Sequence, residues 1–140
     1  MATVLIGMGS NIDPEQHLAD AAEEIRGRFS VCGFSAVYRS KAVGMEGDDF
    51  LNACCLIEDA PVRDELIGWC KQLEDRHGRD RSEGSWKPRT LDLDLLVYDD
   101  EVVDDDLFRY AYIYVPASEL VVMDLPTPES GVVLKTGLNL

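Results

Sequence analysis

The order of elements along the chain predicts an α+β fold, and three observations carry that prediction. Apolar runs of strand length occur at 3–8, 50–57 and 90–98, with a looser alternation at 29–38. Two stretches of helical period separate them, one from Asp13 to Gly27 and one from Pro61 to Gly78. The resulting β-α-β-β-α-β order is the plan of a ferredoxin-like (split β-α-β) antiparallel sheet with helices on its faces, here with a short C-terminal extension. A chain of 140 residues fits one domain with a core of its own, and its 46% hydrophobic content suffices to build one. The element order says nothing of function, because unrelated proteins share it.

Thr3 to Met8 reads as a buried strand ending in the turn Gly9-Ser10-Asn11. Gly7 and Gly9 bracket Met8, and a glycine-lined strand end explains them better than a phosphate loop, since no third glycine follows at the dinucleotide spacing. Asp13-Pro14-Glu15-Gln16 starts the first helix with a cap, a proline in the first turn and acids at the positive end of the dipole. Leu18, Ala21, Ala22 and Ile25 form its apolar face, and His17 is expected to face solvent. Phe29 to Tyr38 is a second strand, Arg39 to Asp49 a loop, and Phe50 to Ile57 a central third strand. Pro61 opens the second helix, whose stripe is Leu66, Trp69, Cys70 and Leu73. Arg79 to Lys87 is a polar loop, Thr90 to Tyr98 the fourth strand, Asp99-Asp100 a turn, and Glu101 to Val103 an edge strand. Tyr110 to Val115, aromatic and β-branched, suits a strand that Pro116 breaks. Ala117 to Leu120 fits one helical turn, and from Pro126 on the composition suits a surface tail.

A net charge of −14 argues against nucleic acid and anionic membrane surfaces as partners. No apolar run has membrane-spanning length, and no basic stretch followed by an apolar one marks a signal peptide. The spacing of Cys32, Cys54, Cys55 and Cys70 fits neither a metal clip nor a disulfide framework, which leads to a reducing cytosol as the expected location. Adjacent Cys54 and Cys55 point to opposite faces of their strand. Six of the 13 Lys and Arg residues fall between Lys71 and Arg89, against four acids, so this window is locally positive. The acidic cluster Asp99, Asp100, Glu101 and Asp104 to Asp106 reads as a solvated turn.

The stretch Trp86-Lys87-Pro88-Arg89-Thr90-Leu91-Asp92-Leu93-Asp94 carries the chemistry. Strand alternation puts Asp92 and Asp94 on one face and Leu91, Leu93 and Leu95 on the other. Paired carboxylates repel each other and resist burial, and a divalent cation offsets both effects. Arg79, Arg81, Lys87 and Arg89 lie just upstream. Carboxylates for Mg2+ beside guanidiniums for phosphate oxygens form the layout of a phosphoryl-transfer site. The plainer alternative is a strand with one solvated face.

Gly9-Ser10-Asn11, Phe50-Leu51-Asn52-Ala53 and Trp86-x-Pro88-Arg89-Thr90-Leu91-Asp92-Leu93-Asp94, in collinear order, resemble the 6-hydroxymethyl-7,8-dihydropterin pyrophosphokinases of folate synthesis. The resemblance spans residues 3 to 103 and implies the same fold. It implies pyrophosphoryl transfer from ATP to the hydroxymethyl group of the reduced pterin, with release of AMP. Asp92 and Asp94 would hold two Mg2+ ions, and Arg79 and Arg89 would join them in catalysis. Lys71, Glu74, Arg81, Trp86, Arg89 and Arg109 would contact ATP; Lys71 stands where the family usually has Gln, and Ser85 where it often has Arg. Ser40, Val43, Phe50, Asn52 and Tyr112 would bind the pterin, whose flat faces call for aromatic stacking and whose polar edge calls for an amide. The expected partners are these two small molecules, with a monomer as the default. A His-bearing segment of the family is missing here, because Asp104 to Phe108 leads directly to Arg109. The alternative is therefore a pterin- or nucleotide-binding paralogue without catalysis.

Overall fold

The computed structural model describes residues 2–40, 49–78, 91–121 and 134–140. The architecture is mixed α/β: an open antiparallel sheet and, among the described residues, three α-helices. The elements are β1 (Ala2–Ser10), α1 (Pro14–Arg28), β2 (Cys32–Phe34), β3 (Tyr38–Ser40), β4 (Phe50–Ala60), α2 (Arg63–Arg76), β5 (Asp92–Tyr98) and β6 (Glu101–Val102). A 3-10 turn at Asp105–Phe108, α3 (Ala111–Ser118) and β7 (Leu134–Lys135) follow. The strand order is β6-β5-β1-β4-β3-β7, with β2 also paired to β4.

The two sheet faces bury different residues, as strand alternation requires. Val4, Ile6 and Met8 of β1 and Leu51, Ala53, Cys55 and Ile57 of β4 pack under Leu18, Ala21 and Ile25 of α1 and Leu66, Cys70 and Leu73 of α2. On the opposite face Leu5, Cys54, Leu96 and Val97 meet Leu107 of the 3-10 turn and Ala117 of α3. The adjacent cysteines thus enter opposite cores, as expected, and all four are free thiols. Glu119, just past α3, ties that helix to the sheet. Its carboxylate accepts from the Ala36 amide at 3.1 Å and the Tyr38 hydroxyl at 2.5 Å, and this bond pushes the Tyr38 phenol up to about 12.

Several elements differ from the sequence expectation. Asp13 adopts the left-handed region (φ 43°) and makes no side-chain cap, so the helix opens on Pro14 and on the His17 amide bonding the Asp13 carbonyl. The expected strand 29–38 is split. Phe29 ends α1 as a buried residue, and Cys32–Phe34 and Tyr38–Ser40 pair separately along the long strand β4. The expected strand from Tyr110 to Val115 is helical. The sheet face above Leu5 and Cys54 needs an apolar cover, and that burial overrides a weak β propensity. The tail does not merely drape over the surface: β7 pairs with β3, and Leu138 and Leu140 pack against the main core.

Deleting residues 134–140 removes that ladder and two packed leucines. It should cost about 2–4 kcal/mol in urea unfolding, at about 1.5–3 kcal/mol for each fully buried leucine and less for a partly buried one.

Candidate active site

β1 is hydrogen-bonded to β4 on one side and β5 on the other. The register aligns Asp92 with Gly9 and Gly9 with Asn52, and Asn52 in turn faces Tyr38. Residues directly opposite one another share a sheet face, so Asp92 and Asn52 stand on the same face with a glycine between them. Two interstrand steps separate their backbones by about 10 Å. The next row, two residues on, aligns Asp94, Gly7 and Cys54. Both glycines leave room that neighbours use. A Cβ on Gly9 would lie 3.3 Å from the Asn52 Oδ1, and one on Gly7 would lie 3.3 Å from a Leu96 methyl.

The amide end is pre-set. Asn52 is only 6% exposed, and its Nδ2 donates to Ser40 Oγ at 2.7 Å. Ser40 is itself buried and paired with Phe50, so Ser40, Phe50 and Asn52 converge at one end of β4. The carboxylate end borders a groove of about 350 Å3 between α2 and β5, lined in part by Lys71, Glu74, Asp92, Asp94 and Asp104. Asp92 is half-buried and Asp94 exposed. Glu74 is 4% exposed, and its Oε2 accepts the Leu93 amide at 2.8 Å, which holds the strand between the two aspartates. The Cys70 thiol is pushed up to about 12, first by burial and then by Glu74 and Asp94.

Tyr112 stacks on Tyr110, with centroids 5.2 Å apart and planes 22° off parallel. Burial raises its hydroxyl pKa above the usual tyrosine range, and Tyr110, Asp106, Asp94 and Asp92 add to the effect. Arg109 forms an exposed pair with Asp106 at 3.9 Å. Arg79, Arg81, Trp86, Arg89 and Val43 lie outside the described residues. Among the described residues no group of three His, Cys, Asp or Glu side chains converges as a metal cluster.

Asp104, in the acidic stretch after β5, also lines the groove and caps the 3-10 turn by accepting the Asp106 amide. His17 does not simply face solvent, because its Nδ1 meets His77 Nδ1 at 2.7 Å. No local signal marks that contact, which joins residues 60 apart.

A sheet face with a few converging polar groups beside a partly apolar groove is the layout of a small-molecule site. The chain belongs to the 7,8-dihydro-6-hydroxymethylpterin-pyrophosphokinase family, whose model matches residues 5–122. It is 32% identical over 135 residues to the 2-amino-4-hydroxy-6-hydroxymethyldihydropteridine pyrophosphokinase of Aquifex aeolicus, covering 95% of this chain and 84% of that protein. The enzymes of the same name from Synechocystis and Haemophilus influenzae are 31% and 29% identical. Those matches cover 91% and 95% of this chain and 70% and 89% of the relatives.

Ser40→Ala leaves the buried Asn52 amide without its side-chain partner. A loss of about 1–3 kcal/mol in chemical unfolding is expected.

Proposed function

We propose that this chain transfers a pyrophosphoryl group from ATP to the hydroxymethyl group of 6-hydroxymethyl-7,8-dihydropterin, releasing AMP, as a step of folate biosynthesis. Family membership supports the reaction. The observation that carries the site is the row Asp92–Gly9–Asn52, a carboxylate and a buried amide on one face across a strand cleared by glycine. The strand order, with α1 and α2 on one face, supports the ferredoxin-like reading of the sheet. The four free thiols support a reducing cytosol.

In this reading Asn52, held by Ser40, hydrogen-bonds the polar edge of the pterin. Phe50 and Tyr112 supply aromatic faces, and Val43 completes the pocket by family resemblance. The pterin hydroxyl attacks the β-phosphorus of ATP, the bond to the α-phosphate bridging oxygen breaks, and the hydroxyl proton is released. The protein's part is positioning and charge. Asp92 and Asp94 suit Mg2+, which keeps several waters and takes one or two carboxylates plus substrate phosphates, so no third protein ligand is needed. The ion, when bound, neutralises charge on the phosphate oxygens. Two ions are the number the family resemblance implies. Glu74 is a positioning residue: through the Leu93 amide it sets the angle of both aspartates. Lys71 and Glu74 border the groove, and the family resemblance assigns them, with Arg79, Arg81, Trp86, Arg89 and Arg109, to the nucleotide side.

Asp92→Ala and Asp94→Ala should each lower AMP release about 100-fold or more with ATP, Mg2+ and pterin saturating. Far-UV circular dichroism and melting should stay as in the parent. Undiminished turnover in both variants would overturn the assignment, and pterin binding by the parent without AMP release would mark the paralogue instead. Gly9→Ala pushes against Asn52 Oδ1, so the KM for the pterin should rise about tenfold while that for ATP holds.

A further inference from the structure

α3 covers the sheet face that bears the Asp92–Gly9–Asn52 row, with Tyr112 in its first turn and Glu119 at its C-terminal end. Seven residues apart on a helix of 3.6 residues per turn, these two share one side of it, about 10 Å apart along the axis. At one end the Glu119 carboxylate accepts the Ala36 amide and the Tyr38 hydroxyl. Tyr38 is the residue aligned with Asn52 in the neighbouring strand. Between the ends, the Cys54 thiol reaches the Ile113 carbonyl at 3.9 Å. At the other end burial raises the Tyr112 hydroxyl, and Asp94 and Asp92 are among the charges that add to it. Tyr112 is thus set toward the aspartates and Glu119 toward Tyr38.

The partners of Glu119 are fixed, whereas its own helix is not. The segment before β3 is held from two sides. The Ser35 amide bonds the Cys54 carbonyl at 2.9 Å and the Cys54 amide bonds Ser35 Oγ at 2.8 Å, while the Thr136 amide bonds the Val37 carbonyl at 2.8 Å. α3 has eight residues, and Pro116 has no amide to give the Tyr112 carbonyl four residues back. A helix this short has little stability of its own, so tertiary contacts decide where it sits. We propose that Glu119 is a positioning residue for the pterin: through Tyr38 and Ala36 it sets where α3 lies on the sheet, and so the gap between the Tyr112 ring and the Asn52 amide that receives the flat heterocycle. This rests on the pterin reading of the site given above. A small shift of α3 would spoil stacking and the edge hydrogen bonds together.

Steady-state AMP release by the full chain, with ATP and 6-hydroxymethyl-7,8-dihydropterin varied in turn, tests the proposal. Tyr38→Phe and Glu119→Ala should each raise the KM for the pterin about tenfold while that for ATP holds. The double variant should be little worse than either single one, because both remove the same bond. Glu119→Gln should fall between parent and Glu119→Ala, since its amide can still pair with both groups. Glu119 is exposed and Tyr38→Phe keeps the ring, so the variants should stay folded well above the assay temperature. A parent-like pterin KM in both single variants would overturn the proposal, as would pterin and ATP constants rising together, the mark of general loosening. The pterin reading itself would still stand on the activity of the parent. A parent that neither binds pterin nor releases AMP would overturn both.

Discussion

The register of β1 between β4 and β5 is the constraint on which the rest depends. It puts Asp92 and Asn52 in one row and Asp94 in the next, with Gly9 and Gly7 as the intervening floor. Side chains alternate with a period of two, so a slip of one residue would turn both carboxylates toward the helix-covered core. That slip is opposed from both faces. Val4, Ile6 and Met8 are buried under α1 and α2, and Leu5 under the 3-10 turn and α3. Burial of those side chains is what aligns the polar ones.

Two glutamates, one buried and one tethered, brace the strands on either side of this alignment. Glu74 uses its carboxylate on a backbone amide of β5, satisfying a donor on the groove side of the strand while fixing the carbonyl and amide directions between the aspartates. Glu119 bonds Ala36 and Tyr38 and so holds the far end of α3 against β3, next to the Asn52 row. Burial raises both the Cys70 thiol on α2 and the Tyr112 phenol on α3, and Asp94 adds to each.

Much of this was legible along the chain. The helices follow from their apolar period, and Leu66, Cys70 and Leu73 are buried as their spacing requires. The opposite facing of Asp92 and Leu93, and of Cys54 and Cys55, follows from strand alternation alone. Propensity misled at Tyr110 to Val115, where an apolar segment took the helical form that covers an exposed sheet face. It also misled at residues 29–38, where two three-residue strands share one long partner. The His17 contact and the pairing of the C-terminal residues have no local signal, because their partners lie far along the sequence.

By itself the sequence determined the element types with strong period, the faces of the aspartate strand, and the family to which the Pro-Arg-x-x-Asp-x-Asp block belongs, because these are local patterns of spacing and side-chain chemistry. The tertiary structure alone decided which strands neighbour β1, that Ser40 holds Asn52, that Glu74 turns inward to β5, and that His17 meets His77. Those are contacts across 12 to 60 residues. Only closure of the chain into a sheet with two covered faces brings such groups within hydrogen-bonding distance.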